Sequence, residues 1–490
     1  MSSHMDGHQE HLRRGFNWLG GAMIIARATD FGTILVVLLF LTKEQVGIAS
    51  LVIAIGVLVE ALDGLGTSAA LVQAPSLSRL QLDSLFWFIA GTASLVAGMT
   101  LFAAPWLGAL FGVGGMMTYF VAVAIKQPLV GAAVIPLALM NRDLQYERIA
   151  TVNVCATFAT ASTRVGLAVT GAGAWAIVAA DAAGGLYMLV GALLARPFRP
   201  RLRFQMSAIS PLVRFGLRAA TSTVFEQTLN NVDYLLVGRF YGAPSLALYR
   251  VAFEVAMQPA IAAGTLINRT ALPVFAKVSA ARERLAQSLT WSLRRLAVIV
   301  APLAAAIVLA ADPVTAMIHD AQGRSYAAAA LPLKLLAVAA LPRIMSQLLY
   351  PLLLGTGRPK VAARLSAATV LLLCAGFVCV GFALPAPGGI VGMSAVWLAV
   401  YPLLLIWEVR YLQRHWAIGP GSLAQALVAP LLATAVLVSM VEVARVVIGS
   451  ANPWLQLGLI LTALALTYGG LLLHARQPPS VPAPANGGPQ

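Results

Sequence analysis

Charge is scarce in this chain. Of its 490 residues only 10% are Asp, Glu, Lys or Arg, against roughly 25% in a soluble globular protein. So few charged groups cannot cover a water-facing surface, and 59% of the residues are hydrophobic. The composition is that of an integral membrane protein. Acidic residues are scarcer still, 18 against 33 Lys and Arg, for a net charge of +15. In a soluble protein that excess would suggest nucleic acid, but there is no polar domain to carry such binding, and no nucleic-acid partner is expected. The three cysteines, Cys155, Cys374 and Cys379, lie in apolar runs without metal-type spacing, and read as small buried hydrophobes. The six histidines are scattered through ends and loops, so no metal site is expected.

Catalytic signatures are missing too. There is no GxxxxGK[ST] loop, and "GTGRPK" at 355–360 has the lysine without the spacing. Without a phosphate cradle, nucleotide is not the direct energy source. An ion or proton gradient is expected instead, with no cofactor. No HExxH, no GxSxG and no outer-loop carboxylate pair occurs. No catalytic residue is assigned, and the chain is not expected to be an enzyme.

What the chain does have is long apolar runs, continuous rather than alternating with period two, which makes the spans helical rather than barrel strands. Fourteen candidates emerge, from 17–41 through 46–73, 213–236 and 245–267 to 423–448 and 453–474. The basic residues test this count. With Arg13 and Arg14 on the cytoplasmic side, the even-numbered connections should be basic. They hold Arg79, Arg142, Arg148, Arg196 to Arg218, Arg269 to Arg295, Arg358, Lys360, Arg410 and Arg414, whereas the odd ones hold only Lys43, Arg239 and Arg324. Both termini are therefore placed in the cytoplasm, with anionic lipids as partners of the basic face.

The fold expected is an all-α polytopic membrane protein. A weak repeat relates "LLFLTKEQVGIASLVIA" (38–54) to "GRFYGAPSLALYRVAF" (238–253), six spans apart. An even offset makes the repeats parallel. It predicts two six-helix lobes related by a pseudo-two-fold along the membrane normal, plus two C-terminal helices. The boundaries are a cytoplasmic segment at 1–16, an N-lobe at 17–195, a basic linker at 196–212, a C-lobe at 213–408, two added spans at 409–474 and a disordered tail at 475–490. The basic stretches "RPFRPRLRFQMSAIS" and "RTALPVFAKVSAARERLAQSL" read as surface helices.

Charge inside spans is the remaining signal, because a charged side chain near the bilayer centre costs roughly 2.5–3.5 kcal/mol on insertion scales. Arg27/Asp30, Arg250/Glu254 and Glu442/Arg445 are opposite-sign pairs at helical spacing that can neutralise themselves. Lys126, Arg164, Lys334 and Arg343 have no local carboxylate and point to a hydrated cavity able to receive an anion. Prolines 128, 136, 259, 302, 332, 342 and 351 fall in these spans and predict broken helices around that cavity.

Six motifs in order carry a resemblance. "DGLGTSAALVQ" (63–73), "LDSLFWF" (82–88), "PLALMNRDLQYERIA" (136–150), "GAGAWAIV" (171–178), "NNVDYLLVGRFYGAPSLALY" (230–249) and "INRTALPVFAKV" (267–278) look like signatures of bacterial polysaccharide transporters. The chain resembles the oligosaccharide-flippase family, lipopolysaccharide or exopolysaccharide biosynthesis proteins of the multidrug/oligosaccharidyl-lipid/polysaccharide exporter superfamily. One departure is Gln145-Tyr146 after "RDL", where the family often has an aromatic.

The resemblance implies a flippase in the bacterial inner membrane. It would move undecaprenyl-pyrophosphate-linked oligosaccharide to the periplasmic leaflet by alternating access, with a polysaccharide polymerase and co-polymerase as candidate partners. The pyrophosphate needs cations and the sugars a wet path. Arg27, Asp63, Lys126, Arg164, Glu226, Asp233, Arg250, Lys334 and Arg343 are the candidate cavity residues, with Glu226 and Asp233 facing the inter-lobe cavity or its outer gate. Two other classes stay open: a multidrug cation antiporter, disfavoured by the mostly basic unpaired charge, and a non-transporting scaffold of a polysaccharide-assembly complex.

The topology is testable with single cysteines in a cysteine-free background. Lys43, Asp320 and Pro387 positions should label from outside, and Arg79, Pro200, Ala280, Arg358 and Leu412 positions from inside. Labelling Pro200 and Ala280 positions from opposite faces would rule out the fourteen-span order.

Overall fold

The computed structural model describes residues 2–62, 66–279, 281–386, 388–448 and 452–475. Fourteen α-helices run in order: α1 (Ser2–Leu38), α2 (Lys43–Glu60), α3 (Thr67–Gln73), α4 (Arg79–Phe111), α5 (Met116–Arg142), α6 (Tyr146–Val169) and α7 (Trp175–Ala195). They continue as α8 (Met206–Val278), α9 (Arg282–Met317), α10 (Ala330–Gly355), α11 (Pro359–Ala383), α12 (Gly388–Trp416), α13 (Pro420–Ile448) and α14 (Pro453–Ala475). The only β pairing among the described residues is a single antiparallel bridge, His319 to Ser325. The chain is a multi-pass membrane protein, as its apolar runs require.

Twelve of these segments are long and apolar enough to cross a membrane. The difference from fourteen has two local causes. The expected span 46–73 ends early: α2 stops at Glu60, and the short α3 follows at Thr67–Gln73. Its charges, Lys43, Glu44 and Glu60, sit at its two ends and leave a shorter apolar middle, so α2 is not among the twelve. The other cause is α8, whose apolar stretch Thr223–Thr265 has 43 residues. At about 1.5 Å per residue this is ~65 Å, twice the ~30 Å hydrocarbon core. It bends at Gly242, where φ is 77° and ψ 175°. That backbone is open to glycine and closed to a side chain. Residues before and after the bend correspond to the expected spans at 213–236 and 245–267.

Helix starts follow capping chemistry. Thr42 and Gln45 form a reciprocal capping box at α2, and Ser78 and Gln81 form another at α4. The prolines do not break helices as expected. Pro128 and Pro136 lie inside α5, Pro302 and Pro313 inside α9, and Pro342 and Pro351 inside α10. Neighbouring helices and side-chain hydroxyls can satisfy the backbone groups that such prolines free. The linker also differs from expectation: 197–205 is irregular rather than helical. It is pinned along α4, with Arg201 N donating to Asp83 Oδ1 (3.2 Å) and Gln205 N to Ser84 Oγ (2.9 Å). Trp87 Nε1 in turn donates to Arg201 O (2.9 Å).

The helices form two compact units. Unit 1 holds Met1–Glu254, Ile318–Pro332 and Ala363–Val400. In it α6 packs on α1 and α7, and α5 on α4 and α7, around a core that includes Leu71, Leu85, Ile89 and Ile135. Unit 2 holds Val255–Met317, Leu333–Ala362 and Tyr401–Gln490. There α9 packs on α13 and α14, with Leu309, Leu437, Val441 and Ile460 buried together.

Close approach in unit 1 depends on glycines, Gly47 among them. A Cβ on Gly47 of α2 would overlap the backbone of Ala243, beside the bend of α8. Gly47→Ala should therefore cost roughly 1–3 kcal/mol and lower the thermal unfolding midpoint. Gly56→Ala, whose Cβ would meet Val123 at an ordinary 3.5 Å, should not.

Candidate functional site

Eight charged residues of unit 1 form one cluster. Lys126 on α5 contacts Glu60 of α2 and lies 2.8 Å from Asp181 Oδ2 of α7. Arg164 on α6 faces Asp30 of α1 at 3.7 Å. Arg250 on α8 donates to Ser50 Oγ of α2 at 2.8 Å. Arg27 is within electrostatic reach of Asp30, and Arg250 and Glu254 are within reach of Arg164. The cluster thus sets Arg27, Lys126, Arg164 and Arg250 against Asp30, Glu60, Asp181 and Glu254, four cations and four carboxylates.

This balance corrects the expectation of unpaired cations. Lys126 and Arg164 each have carboxylate partners on other helices, and in unit 2 Lys334 Nζ lies 2.6 Å from Asp312 Oδ2. Asp30, paired in the sequence reading with Arg27, makes its ion pair with Arg164. The tightest links are at Lys126. The loosest is Arg164–Asp30, where the Arg164 side chain is 12% exposed and the Asp30 side chain 43%.

The other candidates are dispersed. Asp233 is fully buried in unit 1, accepting from Tyr249 Oη (2.9 Å), which itself accepts from Trp397 Nε1 (2.8 Å). The rings of Tyr234, Tyr249, Phe253 and Trp397 pack on one another beside it. Glu226 is exposed. Arg343 is fully buried in unit 2. Asp63 lies outside the described residues. Residues missing from the candidate set are Asp30, Glu60, Asp181, Glu254 and Ser50. Their signal was present as in-span polarity, but only helix packing assigns their partners.

At the Lys43 end of unit 1 a hairpin closes onto α2. Ala321 N donates to Leu41 O (3.2 Å), and Lys43 Nζ donates to Ser325 O (2.7 Å) while lying 5.1 Å over the Tyr326 ring. Partial burial lowers the Lys43 pKa, offset in part by Asp320. The hairpin is folded by Asp320, whose Oδ1 accepts from Gln322 N and Arg324 N and whose Oδ2 pairs with Arg324. Burial works to raise the Asp320 pKa, but the bonds from Arg324 and Gln322 outweigh it and hold the carboxyl below its ordinary value. Its contribution is therefore complete above the ordinary carboxylate range and is lost as pH falls through the lowered folded value.

These features lie in an all-helical membrane fold. The structure resembles the lipid II flippase MurJ in an inward closed conformation, with a TM-score of 0.74 at 11% identity over 94% of this chain and 99% of that one. It also resembles an inward-facing multidrug resistance MATE family transporter of the MOP superfamily, with a TM-score of 0.60 at 12% identity over 79% and 95%. Residues 36–327 match the family described as polysaccharide biosynthesis protein. The chain belongs to that family.

Two relatives are the lipopolysaccharide biosynthesis protein WzxC of Escherichia coli (strain K12) and the succinoglycan biosynthesis transport protein ExoT of Rhizobium meliloti (strain 1021). WzxC is 23% identical over 56% of this chain and 57% of its own length. ExoT is 22% identical over 62% of each. The chain therefore spans less than two thirds of the length of these curated relatives.

Two outcomes are expected. Lys126→Met strands two carboxylates among apolar helices and should cost on the order of 3 kcal/mol. Adding Glu60→Gln and Asp181→Asn should recover most of the loss in a thermal melt. Asp320→Asn should loosen the hairpin. Removing a charge-assisted contact worth about 1.5–3 kcal/mol should raise maleimide labelling of a cysteine at buried Leu41, whose carbonyl the hairpin holds, by roughly 10- to 150-fold.

Proposed function

We propose that this chain is a flippase for undecaprenyl-pyrophosphate-linked oligosaccharide, carrying repeat units from the cytoplasmic to the periplasmic leaflet by alternating access. It acts in the bacterial inner membrane, with both termini cytoplasmic, and serves cell-surface or exopolysaccharide assembly. The observation that carries this reading is the loose Arg164–Asp30 pair inside a charge-balanced cluster. A balanced cluster tolerates an apolar setting while the site is empty. A pyrophosphate can displace the more exposed carboxylate and engage the guanidinium bidentately. The names of the relatives, the family and the MurJ-like fold support the same substrate class. Having no nucleotide loop, the protein draws on an ion or proton gradient.

Organic-cation antiport is the second reading. The four carboxylates remove the charge argument against it that the sequence offered, and the MATE-like fold keeps it in view. Arg343 is assigned to packing, on its full burial.

Binding of labelled lipid-linked oligosaccharide to purified protein in nanodiscs separates these readings. Arg164→Ala should weaken binding about 10- to 150-fold, the equivalent of one charge-assisted contact, and Arg164→Lys should recover only part of it. Asp30→Asn removes the competing anion and should leave binding intact or tighter. Arg445→Ala, which breaks the Glu442–Arg445 pair of α13, should change little. Binding of organic cations with none of the lipid-linked sugar would overturn the flippase reading. In vesicles, transport should survive removal of ATP and fall when the gradient is collapsed.

A further inference from the structure

Unit 2 contains a cavity of about 250 Å³ that the proposed transport does not use. Four helices build it: Leu293 comes from α9, Leu349 from α10, Leu405 from α12 and Leu423 from α13. Among its described lining residues every side chain is apolar except one. That exception is Glu408 of α12, 2% exposed. Ser346 of α10 donates to Oε1 at 2.5 Å, and no Lys, Arg or His forms an ion pair with Glu408 among the described residues. A carboxylate in such surroundings is strongly disfavoured unless a cation reaches it.

Apolar walls with one placed polar group are the general form of a small-molecule site, in which the walls take hydrocarbon and the polar group fixes orientation. We propose that this cavity is a binding site for lipophilic amines, with the ammonium on the Glu408 carboxylate and the hydrocarbon against the leucine walls. Charge selects the class. A fatty carboxylate would meet Glu408 with like charge, and a neutral alcohol would leave the carboxylate uncompensated. Ser346 holds Oε1 and so orients the group toward the cavity. The site is separate from the Arg164–Asp30 pair, which belongs to unit 1, so its test stands apart from that of the flippase reading.

The test is photolabelling of the full chain in nanodiscs with a primary amine carrying an aryl diazirine on its hydrocarbon chain, mapped by peptide mass spectrometry. The matched alcohol and carboxylate serve as comparisons. Labelling should fall saturably on the segments around Leu293, Leu349 and Leu423, be displaced by unlabelled octylamine and be at least tenfold weaker with the alcohol and the carboxylate. Glu408→Gln should reduce it tenfold or more. Leu423→Trp keeps the carboxylate but fills the cavity, and should do the same. That second variant keeps the test decisive if Glu408→Gln fails to fold. Equal labelling by amine and alcohol, or labelling unchanged in a folded Glu408→Gln or Leu423→Trp protein, would overturn the proposal.

Discussion

A charge carried into apolar surroundings must find an opposite charge or a hydrogen bond there, and this one constraint organises unit 1. Lys126 alone ties α5 to α2 and α7, and Arg164 ties α6 to α1. These are contacts between elements far apart in the chain, so the same charges that are costly singly become the fasteners of the bundle when paired. Asp233 obeys the rule by another route, with the Tyr249 hydroxyl taking the place of a cation.

The pairing also shapes what the unit can do. A site of bare cations would bind pyrophosphate strongly but would be expensive to hold empty among apolar helices. A balanced cluster is cheaper to hold empty and still exchangeable, provided one pair is weaker than the rest. Arg164–Asp30 meets that condition, being the longer contact and having the more exposed carboxylate. The hairpin at Lys43 uses the same chemistry, with a buried Asp320 held by an exposed Arg324. Both places hold opposite charges together at a modest electrostatic gain.

Much of the fold was legible in the residues because it is local. Apolar run length locates the helices, Thr42–Gln45 and Ser78–Gln81 mark helix starts, and Gly242 marks the bend of α8. The Glu442–Arg445 pair forms as its spacing of three predicts. Glycine spacing does not reveal that Gly47 must stay bare, because the obstructing atoms belong to Ala243, about 200 residues away.

What the sequence determined by itself was therefore the class of protein: a membrane-embedded helical chain of the polysaccharide biosynthesis family, with charged groups placed inside its spans. Periodicity, hydropathy and short motifs are properties of neighbouring residues, and they survive without a fold. Which charge meets which was decided only by tertiary structure. Lys126 and Arg164 look unpaired along the chain and are paired in space, while Asp233 and Glu226, seven residues apart, end one buried and one exposed. Glu408 drew no reading from the sequence, and packing makes it the polar group among the described lining of an apolar cavity. In each case the partner or the surroundings come from a different helix, and only packing brings them together.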